Sequence, residues 1–152
     1  MAKIRGIGYR AVQLSGVGCM NGDEPELTAA GARRILDDND LACIATHRNW
    51  PDLLNKTDQE IEFHQALGCS YIAVGGLPQE YFADGAGARR FLLEAETVLP
   101  KLADAGIQFG YHNHSHEWAR VGAKGERWID IIIDEGGPLM NMEFDVYWVA
   151  HA

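Results

Sequence analysis

Five short apolar, β-branched runs recur along the chain at nearly constant spacing, and that spacing limits the folds open to it. They are AVQLSG at 11–16, LACIATH at 41–47, YIAVGG at 71–76, IQFGYH at 107–112 and MNMEFDVYW at 140–148, with starts 30, 30, 36 and 33 residues apart. A strand, a crossover helix and two loops need about 30 residues. Helical patterns fill the intervals. Ala30 to Asp38 gives a short one. Thr57-Asp58-Gln59-Glu60 reads as a capping box with Thr57 as N-cap, and Gly68 closes that helix. Phe91, Ala95, Val98 and Leu102 recur at four- and three-residue steps, and Gly106 stops them. Pro100 inside this stretch is expected to kink or break it. Trp128, Ile129, Ile132 and Ile133 mark a fourth helix, ending at Gly136–Gly137.

Strands alternating with helices imply an α/β chain with a parallel sheet and right-handed crossovers. An open doubly wound sheet and a closed barrel both fit. The first run leads into SGVGCMNG, which lacks a GxGxxG fingerprint, and no GxxxxGK[ST] loop occurs anywhere. A nucleotide-binding open sheet is thereby disfavoured. The expected architecture is a partial (β/α)8 TIM barrel of about five parallel βα units, with helices on one side of the sheet and residues 1–152 in a single domain.

Composition excludes several function classes. A net charge of −9 opposes binding to a phosphate backbone, so no nucleic-acid partner is expected. No apolar run approaches the roughly 20 residues of a spanning helix, so no membrane partner is expected. MAKIRGIGYR lacks the apolar stretch of a signal peptide, which leaves the cytoplasm as the expected location. Cys19, Cys43 and Cys69 form no CxxC pair and read as small buried hydrophobes rather than as zinc ligands or a disulfide framework.

In a barrel, chemistry gathers where strands end and loops begin. Ser15, His47, the cluster His112–Glu117 and Asp145 fall there. Alternation through IQFGYHNH, which leads into GYHNHSHEW, puts Ile107, Phe109 and Tyr111 on one face and Gln108, Gly110, His112 and His114 on the other. Imidazoles two residues apart can hold a metal, move protons or donate to sugar hydroxyls. Glu117 follows as a hard oxygen ligand or general base. MNMEFDVYW, read as one strand, groups Asn141, Glu143, Asp145 and Tyr147. Asp145 lies nearest the ligand end, whereas Glu143 is deeper and equally consistent with a structural role. His47 is a candidate substrate contact, and Trp148 can wall a sugar pocket by stacking. His64, within a helical stretch, is expected at the surface.

These motifs, GYHNHSHEW and EFDVYW in this order, with LGCSYIAVGG and LADAGIQFGYHNH in support, resemble the sugar phosphate isomerase/epimerase family, the xylose isomerase-like TIM barrels. The resemblance implies one divalent ion (Mn²⁺, Mg²⁺ or Zn²⁺) and a small sugar or sugar-derived substrate. It also implies proton transfer beside a sugar carbonyl. It makes Asp145 and Glu117 metal ligands and catalytic carboxylates, with His47, His112, His114 and Trp148 around the substrate. It further implies that these runs are strands two to six of eight. The chain is then expected to be a fragment with an incomplete metal site, and its open sheet edges invite association of copies. A lyase of the same fold, dehydrating a keto-inositol, and a non-catalytic half-barrel sugar-binding module are the competing readings.

Overall fold

The structure, a computed structural model, describes residues 1–20, 22, 24–121 and 125–152. Five strands, β1 (Ala11–Ser15), β2 (Ala42–Arg48), β3 (Tyr71–Val74), β4 (Gln108–His112) and β5 (Met140–Glu143), form one sheet in the order β1-β2-β3-β4-β5. Every pairing is parallel. Among the described residues seven α-helices accompany them: α1 (Ala2–Ile7), α2 (Ala29–Asp37), α3 (Trp50–Asn55), α4 (Thr57–Leu67), α5 (Gly85–Asp104), α6 (Trp128–Glu135) and α7 (Val146–Ala150). Sequential parallel order with a helix in each crossover is the layout of part of a TIM barrel. No helix among the described residues is long and apolar enough to cross a membrane.

Two apolar clusters lie between the sheet and its helices. In one, Cys43, Val12 and Leu14 meet Ala32 and Leu36 of α2 and Leu67 of α4. In the other, Ile72, Val74, Phe109 and Tyr111 meet Trp50 of α3, Phe91, Ala95 and Val98 of α5, and Trp128 and Ile132 of α6. Two indoles of this cluster are satisfied: Trp50 donates to Glu94 (3.0 Å) and Trp128 to the Tyr81 carbonyl (2.7 Å). The opposite face of the strands carries Gln13, Ser15, His47, Gly110, His112 and Glu143. Polar residues alternate with core residues along β1 and at the end of β5, as a half-covered sheet requires.

Several local expectations are corrected. Pro100 leaves α5 continuous. It sits on the exposed side of the helix, where the Glu96 carbonyl deprived of a partner meets water. Thr57 is not an N-cap; it is the first residue of α4, and its hydroxyl donates to the Leu53 carbonyl of the preceding helix. That helix, α3, is a second helix in the same crossover. Its own cap is Asn49, which accepts from the Asp52 amide, with Pro51 in the first turn. The run 140–148 is a strand only to Glu143, and α7 begins at Val146. Gly68 ends α4 in the left-handed conformation expected of it, φ 73°.

His64 is buried, not at the surface. Its Nδ1 donates to the Glu60 carbonyl (2.6 Å), so in the neutral ring Nε2 accepts from the Thr46 hydroxyl (2.6 Å). This pair fastens α4 to β2. Arg48, bidentate on the buried Glu60, lies beside it. Burial lowers the His64 pKa from 6.5, and although Glu60 opposes this, the Arg48 charge adds to it. The unfolded chain therefore takes up a proton below pH 6.5 that the folded chain resists. Stability should fall as pH drops from about 6.5 toward the folded pKa, at up to about 1.4 kcal/mol per pH unit. Denaturant titrations between pH 7.5 and 5 should give a flatter profile for His64→Gln than for the parent; equal slopes would clear His64 of the effect.

Candidate functional site

The polar face converges on one carboxylate. Glu143, the last residue of β5, accepts from Gln13 Nε2 of β1 through both oxygens (2.9 and 3.2 Å). The sheet curls far enough for its two edge strands to meet through side chains. His47 Nε2 lies 3.1 Å from Glu143 Oε1, and His112 Nδ1 lies 3.3 Å from the same oxygen. The two imidazoles pack together with centroids 4.6 Å apart. Ser15 Oγ contacts the other nitrogen of His47 (3.3 Å). A register shift between Val12 and Gln13 sets Ser15 opposite His47.

Glycines make room for this cluster. A Cβ on Gly75 would press on the His47 ring at 3.0 Å. A Cβ on Gly110 would collide with the Tyr71 phenol, which occupies that space on the same face. Burial raises the Tyr71 pKa, and the Glu143 charge adds to it, so Tyr71 stays a neutral phenol. Burial of Glu143 alone would raise its pKa. Hydrogen bonds from Gln13 and His47, with the charges of His47 and His112, outweigh that and hold it below the ordinary carboxylate value.

Asp145 is joined to the cluster at its rim, with Oδ2 3.8 Å from His112 Nε2. Its Oδ1 caps α7, accepting from the Tyr147 and Trp148 amides. Buried Asn113 accepts from the Asp145 amide (2.9 Å), tying the chain after β5 to the end of β4. His114 lies 5.1 Å from the His112 ring, stacks on His116 at 5.7 Å and meets Trp148 at 5.2 Å. The turn into α7 places Trp148 there. Burial lowers the His114 pKa, with Glu117 opposing and His112 and His116 adding to the drop, so the ring favours its neutral form.

Glu117 is not brought to this cluster. It is fully buried, accepting from the Tyr111 hydroxyl (2.9 Å) and the His114 amide (2.8 Å). His116 Nε2 lies 3.2 Å away. Tyr111 faces the helices, so Glu117 serves as an anchor for the turn after β4. Burial, together with the Glu117 charge and their hydrogen bond, raises the Tyr111 pKa well above its ordinary value, keeping it a donor.

The donor set fits a divalent cation. Donor atoms of His47, His112 and Glu143 lie within 4.8 Å of one another. An ion about 2.1 Å from each ligand separates its donors by about 3.0–3.4 Å, close to the spacings of 3.1 and 3.3 Å found here. His112 Nδ1 is buried without a hydrogen-bond partner, a cost that a ligand would remove. Imidazole with carboxylate suits zinc, manganese or iron.

Thus Asp145, His47, His112, His114 and Trp148 fall around one centre, and Glu117 does not. Gln13, Tyr71, Asn113 and the central role of Glu143 had not been foreseen. Alternation in AVQLS already placed Gln13 beside Ser15 on the polar face, the one signal that could have found it.

No family model and no curated protein matches the sequence. Solved structures do share the fold. A sugar phosphate isomerase/epimerase from Parabacteroides distasonis superposes with a TM-score of 0.82 at 21% identity, over 99% of this chain and 59% of that one. An AP endonuclease, family 2, from Brucella melitensis gives 0.67 at 13% identity, over 96% and 61%. A xylose isomerase domain containing protein from Salmonella typhimurium gives 0.64 at 14% identity, over 91% and 52%. The chain therefore spans about three fifths of the length of the first of these structures. The architecture is that of a partial TIM barrel, the fold these structures share with it.

The packing of Tyr71 over Gly110 is open to test. Gly110→Ala should destabilise by about 1–3 kcal/mol through overpacking. In a double-mutant cycle with Tyr71→Ala most of that loss should vanish. Additive effects would show that the phenol does not occupy the space.

Proposed function

We propose that this face is a divalent-metal-assisted proton-transfer site acting beside the carbonyl of a small sugar or sugar-derived compound, in isomerisation or epimerisation. The observation that carries the reading is the Glu143 carboxylate bracketed by two imidazoles at the carboxyl ends of parallel strands, with a second carboxylate, Asp145, at the rim. His47, His112 and Glu143 would hold the ion. When bound, it polarises the substrate oxygens and offsets enediolate-like charge. Gln13 keeps Glu143 aimed at the centre. Asp145 Oδ2, free of the capping bond, accepts the proton α to the carbonyl and returns it to the product. His112 Nε2, 3.8 Å away, steadies the Asp145 charge. His114 donates to a substrate hydroxyl, and Trp148 supplies a flat apolar wall for the sugar ring.

Dehydration of a keto-inositol begins with the same proton abstraction and is the second reading. The endonuclease among the structural neighbours supports the fold only, since a net charge of −9 disfavours a DNA backbone. Strands β1 and β5, at the ends of the sheet, are where copies would associate.

Calorimetric titration with Mn²⁺ tests the ligand set. Glu143→Gln should weaken binding by at least about tenfold, the minimum loss that outer partners alone produce. Glu117→Gln should leave affinity within about twofold while lowering stability by about 1–3 kcal/mol, because a buried acceptor pair is disrupted. The opposite pattern would return Glu117 to the metal. In an epimerisation assay on a chain that turns over substrate, Asp145→Asn should abolish turnover with the fold intact; retained activity would remove Asp145 from the mechanism.

A further inference from the structure

We infer that Cys43 and Cys69 are a modification site: a buried dithiol that hydroperoxides convert to an intramolecular disulfide. Three observations place the two thiols together. The β2–β3 register pairs Thr46 with Ile72, His47 with Ala73 and Arg48 with Val74. Three residues before the first of these pairs stand Cys43, in β2, and Cys69, two residues ahead of β3. Neighbouring strands lie about 4.8 Å apart, within the Cα separation of about 4.4–6.8 Å that a disulfide spans. Both side chains enter one apolar cluster on the helix side, 7% and 4% exposed, so they point the same way. Each thiol is the largest single influence on the other's pKa, as only close neighbours can be. Otherwise each makes only a long contact, to the Ala45 or the Tyr71 carbonyl, at 3.4 Å.

The pair is chemically asymmetric. The neighbouring Cys43 lowers the Cys69 pKa against the effect of burial, aided by the Tyr71 backbone, while Cys69 and burial raise that of Cys43. Cys69 is assigned as the sulfur that reacts as thiolate and Cys43 as the one that resolves, an order that sulfenic-acid labelling decides. The Cys69 sulfur attacks the terminal oxygen of a hydroperoxide. The O–O bond breaks, an alcohol or water leaves, and Cys69 becomes a sulfenic acid. The Cys43 sulfur then displaces hydroxide, which departs as water with the Cys43 proton, and the S–S bond forms. Two thiols lose two electrons in all, and the hydroperoxide gains them. The closed loop, residues 43–69, contains His47, α3 and α4. Cys19, which is exposed, lies outside the pair.

The test uses the whole chain carrying Cys19→Ser, treated with hydrogen peroxide, then alkylated under denaturing conditions and digested for mass analysis. The expected result is a monomer lighter by about 2 Da, the mass of the two protons lost, with two fewer alkylatable thiols and a linked pair of peptides containing Cys43 and Cys69. Dithiothreitol should reverse it. In Cys43→Ser, dimedone should label Cys69. Thiols that stay alkylatable, oxidation that ends at sulfinic acid, or crosslinks between chains would each overturn the pairing. Dimedone label on Cys43 in Cys69→Ser, with none on Cys69 in Cys43→Ser, would overturn the order of attack.

Discussion

A carboxylate on the inner side of a parallel sheet is costly unless it is paired, and Glu143 is paired from three other strands. Gln13 of β1, His47 of β2 and His112 of β4 all reach it. These contacts require a curled sheet. In a flat one, β1 and β5 would lie several strand spacings apart, beyond the reach of Gln and Glu side chains. Curvature and the polar cluster therefore depend on each other.

The helix side maintains that curvature. Phe91, Tyr111 and Trp128 pack ring against ring between α5, β4 and α6. Buried polar groups there act as pins rather than as chemistry: His64 joins α4 to β2, and Glu94 collects Trp50 and Tyr81. Glu117 belongs with these pins. Its carboxylate is spent on Tyr111 and the His114 amide, which fixes the turn that aims His114 at Trp148. Each pin is fully partnered, as buried polar groups must be.

The inner side differs in kind. His112 Nδ1 and His114 Nδ1 are buried without partners, and donor atoms crowd around one oxygen. Such unresolved valence next to an aromatic wall fits a place meant for a ligand. The glycines agree with that: Gly75 and Gly110 clear volume on this face for His47 and Tyr71.

Period and alternation by themselves determined much of this protein. Runs 30–36 residues apart with helical patterns between them fit five parallel βα units, because parallel strands need a long crossover that a tight hairpin cannot supply. Alternation in IQFGYH decided that Phe109 and Tyr111 face the helices while His112 faces inward. Local rules failed where a neighbour in space overrode them. Thr57 meets the end of α3, His64 finds Thr46, and the chain after Glu143 turns helical once Asp145 caps it. The largest difference is between Glu117 and Glu143. One stands in a histidine-rich loop and the other inside an apolar strand, so sequence favoured the first. Only the curl of the sheet, which carries Gln13 across to β5 and leaves Glu117 beneath Tyr111, decided that Glu143 is the central carboxylate. Distance along the chain holds no information about which residues a curved sheet will bring face to face.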